Sequence, residues 1–123
     1  MPPVETTLDV DRWATELKRG GTKLGILQLI RERDRYGYEI VSLLSERSGG
    51  ALQLAEGNVY PALHGLEREG AVASYWQEIE PGVPPRKYYR ITPAGIQTHD
   101  RMVGAWKSYT QSLSKLLNGG REK

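Results

Sequence analysis

The chain has 123 residues, 17 basic and 15 acidic side chains, a net charge of +2 and no cysteine. A chain of this length can bury one modest core, and without cysteine it cannot form a disulfide, a thiolate zinc site or a cysteine nucleophile. No apolar run approaches the ~18 residues of a membrane span, and the first residues lack the basic and apolar regions of a signal peptide. The composition therefore predicts a single cytoplasmic domain.

The near-neutral total charge hides two basic segments. Residues 18–35 carry six basic and two acidic side chains, and residues 86–92 carry three basic side chains and no acidic one. Clustered Lys and Arg are typical of a phosphate-binding surface. A solvated face is the alternative explanation for either segment alone.

The first helix is predicted over residues 11–33, where apolar residues recur at helical spacing. Asp9 or Asp11 is a candidate N-cap, and residues 1–10 are expected to be flexible. Gly20-Gly21 interrupts the pattern. The segment is therefore either one helix or two helices joined at the glycines.

A second helix is predicted over residues 38–47, after a turn at residues 34–37. Ser48-Gly49-Gly50 ends it, because glycines commonly follow the last turn of a helix. Residues 52–54 alternate in polarity and predict a short extended piece.

A third helix is predicted over residues 56–69, with its apolar face formed by Val59, Leu63 and Leu66. Pro61 is awkward inside this segment, because a proline in a helix interior removes a backbone hydrogen bond. Either the helix starts just before Asn58 or its first part is bent.

Two strands are predicted next, over residues 72–79 and 86–91, joined by the proline-rich loop 80–85. They form a two-stranded hairpin that must pack on the helices, since such a hairpin is marginal alone. Thr92-Pro93 is a specific helix start and opens a last helix over residues 93–117.

This order of elements predicts an α+β, mainly α fold, a winged helix-turn-helix with a long C-terminal dimerisation helix. In this prediction, residues 11–92 are the DNA-binding domain, residues 93–117 the dimerisation helix and residues 118–123 a flexible tail.

The apolar stripe of the last helix continues past the part that the small core can cover. Such a stripe usually marks an interface, and a second copy is the simplest partner to cover it. The alternative is a helix folded back on its own domain. The stripe comprises Ile96, Met102, Val103, Trp106, Tyr109, Leu113, Leu116 and Leu117.

Three segments together resemble the PadR-like transcriptional regulators. They are Tyr36-Gly37-Tyr38-Glu39-Ile40, the segment from Glu56 to Gly70 (EGNVYPALHGLEREG) and the segment from Pro85 to Gly95 (PRKYYRITPAG). The resemblance extends from about residue 18 to residue 95 without a large gap, and the short remainder is similar to the subfamily with one C-terminal helix.

The resemblance implies a homodimeric transcription repressor that binds a two-fold DNA operator. Its third helix enters the major groove and its hairpin, the wing, contacts the flanking backbone. The sequence departs from the family at two positions. Tyr36 stands where His is common, and Ala55 stands where Ser or Thr commonly caps the third helix.

Candidate DNA-binding residues lie on the third helix, the wing and the first two helices. Asn can pair with adenine and Arg with guanine or phosphate, while Lys, Arg and Tyr can bind the phosphate backbone. The predicted contacts are Lys18, Lys23, Tyr36, Tyr38, Asn58, Tyr60, Pro61, His64, Arg68, Arg86 and Lys87. Core positions remain the alternative for Tyr38, Leu63, Tyr88 and Ile91, and Tyr60 and Tyr89 can serve either purpose. Pairing with Glu67 or Glu69 is the alternative for Arg90.

Trp106 is either a packed dimer anchor or, as the resemblance implies, a platform for a planar aromatic effector between paired tryptophans. The predicted interface for the partner copy and the effector comprises Trp13, Trp106, Met102, Val103, Tyr109 and Leu113.

No enzymatic function is expected, because neither His64 nor His99 belongs to a catalytic spacing and no phosphate-binding glycine loop is present. A metal site at His99-Asp100 is non-specific, and neither cofactor nor metal is predicted. The alternative function is a winged-helix module for protein interaction or ligand binding without a specific operator.

Overall fold

The computed structural model describes residues 9–52 and 56–121. Its elements in chain order are α1 (Val10–Glu32), β1 (Arg35–Tyr36), α2 (Gly37–Arg47), α3 (Glu56–Arg68), β2 (Val72–Gln77), β3 (Arg86–Ile91) and α4 (Pro93–Asn118), followed by one 3₁₀ turn (Gly119–Arg121). Residues 53–55 lie outside the described part of the chain. They include most of the extended piece predicted at residues 52–54 and the missing cap at Ala55. The predicted fold class, a winged helix-turn-helix with a long C-terminal helix, is confirmed.

The first helix is continuous, which resolves the alternative of two helices. Asp9 is the N-cap, and its side chain accepts a hydrogen bond of 3.0 Å from the Arg12 amide. Gly20 and Gly21 lie inside the helix in open space. The C-terminal half of α1 is buried in the core, whereas Trp13 in the N-terminal half is exposed.

The segment predicted as a turn before α2 is wrong in part, because Arg35 and Tyr36 form a third strand. β1 pairs antiparallel with β3, with Tyr36 opposite Tyr88, and the sheet order is β1-β3-β2. β2 ends at Gln77, two residues before the predicted end, because its last partner is Arg86. The residues before Arg86 are Pro84 and Pro85, which lack the N–H that a strand ladder needs.

The core lies between the C-terminal half of α1, α2, α3 and the sheet. Its fully buried members include Ile26, Leu27 and Ile30 from α1, Ile40 from α2, Val59, Leu63 and Leu66 from α3, and Tyr89 from β3. α3 begins at Glu56 and ends at Arg68, with Pro61 in its second turn. Because one face of α3 is buried in this core, its opposite face is held outward.

The last helix begins as predicted. The Thr92 hydroxyl accepts from the Gly95 amide at 3.0 Å, and Pro93 is the first helical residue. Gly95 is buried against Ala71, so the first turns of α4 dock on the domain. Beyond Val103 the helix leaves the domain, and Trp106, Tyr109, Leu116 and Leu117 are exposed. No helix within residues 9–52 and 56–121 is both long and apolar enough to cross a membrane.

Candidate nucleic-acid interface

The outer face of α3 is exposed opposite its buried apolar face. Asn58, Pro61, His64 and Arg68 are exposed on it, as the helical spacing predicted. Neither His64 nor Arg68 forms an ion pair among the described residues. The helix therefore offers hydrogen-bonding side chains on a surface that no other part of the described chain covers.

A groove of about 380 Å³, here called the wing groove, lies between α3, the start of α2 and the wing. It contains six of the predicted DNA-binding residues together with Gly37, Trp76 and Tyr89. The six are Tyr36, Tyr38, Tyr60, His64, Arg86 and Lys87. Residues far apart in the chain thus share one concave surface.

The cations of the wing groove are positioned by aromatic rings. The Arg86 guanidinium lies 4.4 Å from the centre of the Tyr36 ring, and the Lys87 ammonium lies 5.6 Å from the centre of the Tyr89 ring. Cation–π contacts of this kind orient a side chain while leaving its charge uncompensated. Within residues 9–52 and 56–121 neither cation pairs with a carboxylate. Both therefore remain available to bind an anion.

The tyrosines of the wing groove divide into exposed and buried groups. Tyr38 is 60% exposed, so the alternative that placed it in the core is wrong. Tyr89 is fully buried, and burial raises the pKa of its hydroxyl. Tyr88 is half-buried between Tyr75, with which it stacks at 5.8 Å, and Tyr36, which it meets edge-on at 5.5 Å. The contact with Tyr88 thus supports the ring of Tyr36, which lines the wing groove.

Trp76 is the residue of this groove that the sequence analysis missed. It lies on β2 directly across the ladder from Lys87, and 66% of it is exposed. The strand alternation puts residue 76 on the face opposite Tyr75. Tyr75 packs on Tyr88, so Trp76 faces the other way. The period of two along β2 was the sequence signal that could have identified Trp76 as a surface residue.

Two predicted DNA-binding residues, Lys18 and Lys23, lie on α1 and not beside the wing groove. Together with Asn58, at the edge of the outer face of α3, they line a cavity of about 730 Å³ between α1 and α3, here called the α1 cavity. Lys23 forms an ion pair of 3.1 Å with Glu69, so its charge is partly compensated. The predicted set is therefore split between the two sides of α3.

Glu67 and Glu69 both have partners other than Arg90. Glu67 accepts from the Ser74 hydroxyl at 2.7 Å, and Glu69 pairs with Lys23. Arg90 is exposed and forms no ion pair among the described residues, so the pairing considered for it is wrong.

A buried arginine fixes the junction from which Tyr36 and Tyr38 project. Arg35 is 7% exposed, and its Nε donates to the Leu29 carbonyl at 2.8 Å. Its two remaining nitrogens bind Glu32 and Glu39, each at 2.9 Å.

Arg47 joins this cluster by binding both oxygens of Glu32, at 2.6 and 2.8 Å. The hydrogen bond from Arg47, followed by that from Gln28, lowers the pKa of Glu32 from 4.5 to about 2. The cluster ties α1, β1 and α2 together. In the sequence, Arg35 falls within a basic segment, and its i,i+3 and i,i+4 spacing to Glu32 and Glu39 is the signal that points to this cluster.

The predicted partner and effector surface follows α4. Met102, Val103 and Leu113 are half-buried, whereas Trp106 is 54% exposed and Tyr109 is also exposed. Trp13 is exposed on the N-terminal half of α1. No group of residues in the described part of the chain could hold a metal ion, and His99 is buried by α1 instead.

Comparisons with known proteins agree with this geometry. Residues 26–101 match the model of the transcriptional regulator PadR-like family. The chain is 31% identical to the transcriptional regulator Rv3488 of Mycobacterium tuberculosis, over 86% of this chain and 91% of that protein. It superposes with a TM-score of 0.78 on a PadR family transcriptional regulator from Eggerthella lenta, at 31% identity, covering 88% of this chain and 91% of the other. A transcriptional regulator from Clostridium thermocellum gives a TM-score of 0.73 at 32% identity, covering 81% and 93%. The chain therefore belongs to the PadR-like family of transcriptional regulators and is a DNA-binding regulator rather than an enzyme.

Proposed function

We propose that the chain is a homodimeric repressor that binds a two-fold DNA operator and is released from it by a planar aromatic effector. The observation that carries the DNA-binding part is the wing groove, where Arg86 and Lys87 lie beside α3 and form no ion pair with any carboxylate of the described residues. Residues 11–92 form the DNA-binding domain in this proposal, and residues 93–117 form the dimerisation helix.

The outer face of α3 enters the major groove in this arrangement. Asn58, His64 and Arg68 then reach base edges or phosphates, and Pro61 lies against the DNA surface without a long side chain to hold it away. An Asn amide pairs with adenine and an Arg guanidinium with guanine, at about 1–3 kcal/mol of discrimination for a good bidentate pair. These side chains are the candidates for sequence preference.

The wing groove binds the phosphate backbone beside that major groove. Arg86 and Lys87 supply the positive charge, and the hydroxyl groups of Tyr36, Tyr38 and Tyr60, three residues that line the groove, supply hydrogen bonds. The indole of Trp76 packs against the deoxyribose next to the phosphate that Lys87 binds. Lys18 and Lys23, in the α1 cavity, contribute to the same attraction from the other side of α3.

The exposed stripe of α4 supports the homodimer. Trp106, Tyr109, Leu116 and Leu117 are exposed large apolar residues at helical spacing on one face. A patch of this kind on a protein usually marks an interface, and two-fold homodimers are the commonest oligomers. Two copies joined through α4 present two α3 helices, which matches half-sites about one helical turn of DNA apart.

Trp106 supports the effector. Its indole is 54% exposed on the stripe of α4, so a partner molecule can reach the ring. Two such indoles facing each other across a dimer axis form a slot for a flat aromatic molecule, which stacking and burial would hold.

Binding to DNA fragments from a random pool tests the DNA-binding part. Selection should enrich a two-fold sequence bound with nanomolar affinity, on the order of 10⁻⁸ M. Arg86→Ala with Lys87→Ala should weaken binding and lower the slope of log affinity against log salt by about 2. The matched control is Lys107→Ala with Lys115→Ala, which removes the same charge from α4 and should leave the slope nearly unchanged.

Two results would contradict the proposal in different ways. An unchanged slope in the wing variant, with tight binding retained, would remove the wing groove from the interface. Failure to enrich any sequence, with only weak binding to all DNA, would favour a module for protein interaction or ligand binding without a specific operator.

A further inference from the structure

A buried histidine joins α4 to α1, away from the wing groove. His99 is 6% exposed, on the face of α4 that packs on α1. Its Nε2 lies 2.6 Å from Oε1 of Gln28, and its Nδ1 lies 3.0 Å from Oδ1 of Asp100. Both ring nitrogens therefore have an oxygen within hydrogen-bonding distance.

The orientation of the Gln28 amide is fixed by its second contact. Nε2 of Gln28 donates to Oε2 of Glu32 at 2.8 Å, which turns Oε1 toward the histidine ring. Turning the amide over would direct Oε1 at the Glu32 carboxylate, and an ionised carboxylate can only accept. Gln28 is therefore an acceptor toward His99.

Asp100 is an acceptor for the same reason. The hydrogen bond from His99 is the main cause that lowers the pKa of Asp100, and the charge of Arg31 lowers it further. Arg31 lies with its Nε 3.3 Å from the Asp100 carboxylate. The carboxyl group of Asp100 is thus ionised at neutral pH and has no proton to donate.

A neutral imidazole has one N–H, whereas an imidazolium has two. Because both nitrogens of His99 face acceptors, only the imidazolium makes both hydrogen bonds. We infer that His99 is a proton-dependent clasp that holds the C-terminal helix α4 on α1. His99 lies outside the wing groove and outside the exposed stripe of α4.

Loss of the ring proton breaks one contact in either tautomer. With the proton on Nε2, a bare Nδ1 faces the Asp100 carboxylate. With the proton on Nδ1, a bare Nε2 faces Oε1 of Gln28, and turning that amide to relieve the contact breaks its bond to Glu32. The docking of α4 on α1 therefore weakens as the pH rises and His99 loses its proton.

The charged groups that face the ring lie on α4 and on α1. Asp100 on α4 touches the ring, and Glu32 on α1 lies behind Gln28. Arg31 on α1 opposes them, but it binds the Asp100 carboxylate and not the ring. Arg35 and Arg47 both bind Glu32, so Gln28 and Glu32 separate them from the His99 ring.

Nitrogen NMR of the histidine rings reads the clasp directly, because the chain has only two histidines. In His64→Gln the remaining histidine is His99, and both of its ring nitrogens should carry protons at about pH 6. As the pH is raised until that ring becomes neutral, the thermal midpoint should fall by roughly 5 °C. His64 is exposed on α3, so its replacement should leave this fall unchanged.

Asp100→Asn is the discriminating variant, since an exposed side chain can be changed without unfolding the domain. An amide can turn its NH₂ toward a bare Nδ1, so a neutral His99 fits, and the fall in thermal midpoint should largely disappear. A His99 ring with one bare nitrogen at about pH 6 would overturn the clasp. So would a fall in Asp100→Asn as large as that of the otherwise unchanged chain.

Discussion

The ring of Tyr60 on α3 lies against the backbone of Gly37 at the start of α2. A β-carbon at position 37 would stand 2.7 Å from the Cζ of that ring, nearer than real side chains approach. The absence of a side chain at Gly37 therefore lets Tyr60 lie in the floor of the wing groove, between the two helices of the DNA-binding face. This contact links α3, the helix proposed to read DNA, to the segment that carries Tyr36 and Tyr38.

We expect Gly37→Ala to reduce DNA affinity about 10-fold, equivalent to about 1.4 kcal/mol. The added methyl group displaces the Tyr60 ring into the wing groove, the proposed phosphate-binding surface, while rotation of the tyrosine side chain relieves most of the strain. The effect on the thermal midpoint should be small. Fluorescence anisotropy with labelled operator measures the affinity.

Gly20→Ala is the control for this change, because Gly20 is also helical but has open space around it. It should leave DNA affinity unchanged. Equal affinity of the Gly37→Ala protein would mean that the Tyr60 position has no part in binding.

We expect Gly95→Ala to lower the free energy of unfolding by about 2–3 kcal/mol, in the range typical of overpacking. A β-carbon there would overlap the Ala71 carbonyl group and lie 2.8 Å from Cγ1 of Ile91. The carbonyl cannot move aside, because it also accepts from the Thr92 amide at 3.0 Å. Urea unfolding measures the loss.

Gly104→Ala on the same helix is the matched control, because a β-carbon at position 104 would meet no atom of the described residues within 4 Å. It should be neutral or stabilise the protein by up to about 1 kcal/mol, because alanine favours helix. If both variants had the same stability, the close approach of α4 to Ala71 would be refuted.

The stabilisation from Glu32 should be lost in acid. Its folded pKa of about 2 lies below its ordinary 4.5, so the contribution is complete above about pH 4.5 and disappears as the pH falls toward 2. Glu32→Gln should therefore lower the free energy of unfolding by about 1 kcal/mol at neutral pH. The difference should close on acidification.

Glu46→Gln removes the same charge from an exposed position on α2. Chemical unfolding at a series of pH values compares the two variants. An acid response of Glu32→Gln that matches the unchanged protein would show that the Arg35 and Arg47 contacts contribute nothing.

Tyr109→Glu should convert the proposed dimer to a monomer, because it buries a charge in the α4 stripe. Tyr109 is exposed within the single chain, so the domain itself should remain folded. Ser108→Glu places the same charge on the opposite, exposed face of α4 and is the control. Sedimentation equilibrium gives the mass, and a monomeric unchanged protein would refute the interface.

Quenching of Trp106 fluorescence tests the effector in a chain where Trp13 and Trp76 are replaced by Phe. Planar aromatic compounds should quench the remaining indole in a saturable way if the slot exists, because bound ligand stacks on it. If quenching is weak and rises linearly with concentration, the two Trp106 indoles do not form a binding slot for these compounds.

The sequence by itself determined the local elements and the family. Helical spacing fixed the buried face of α3, and Thr92-Pro93 fixed the start of α4, because both signals depend on residues a few positions apart. The motifs at Tyr36, at residues 56–70 and at residues 85–95 identified a PadR-like regulator before any packing was known.

Only the tertiary structure decided which distant residues meet. β1 escaped prediction because a two-residue strand has no periodicity, and its partner β3 lies about fifty residues away. For the same reason the sequence did not predict that Trp76 lines the wing groove, that Lys23 pairs with Glu69 or that His99 contacts Gln28. A contact across the chain leaves no local pattern, so these partners became visible only when the helices and the sheet were packed together.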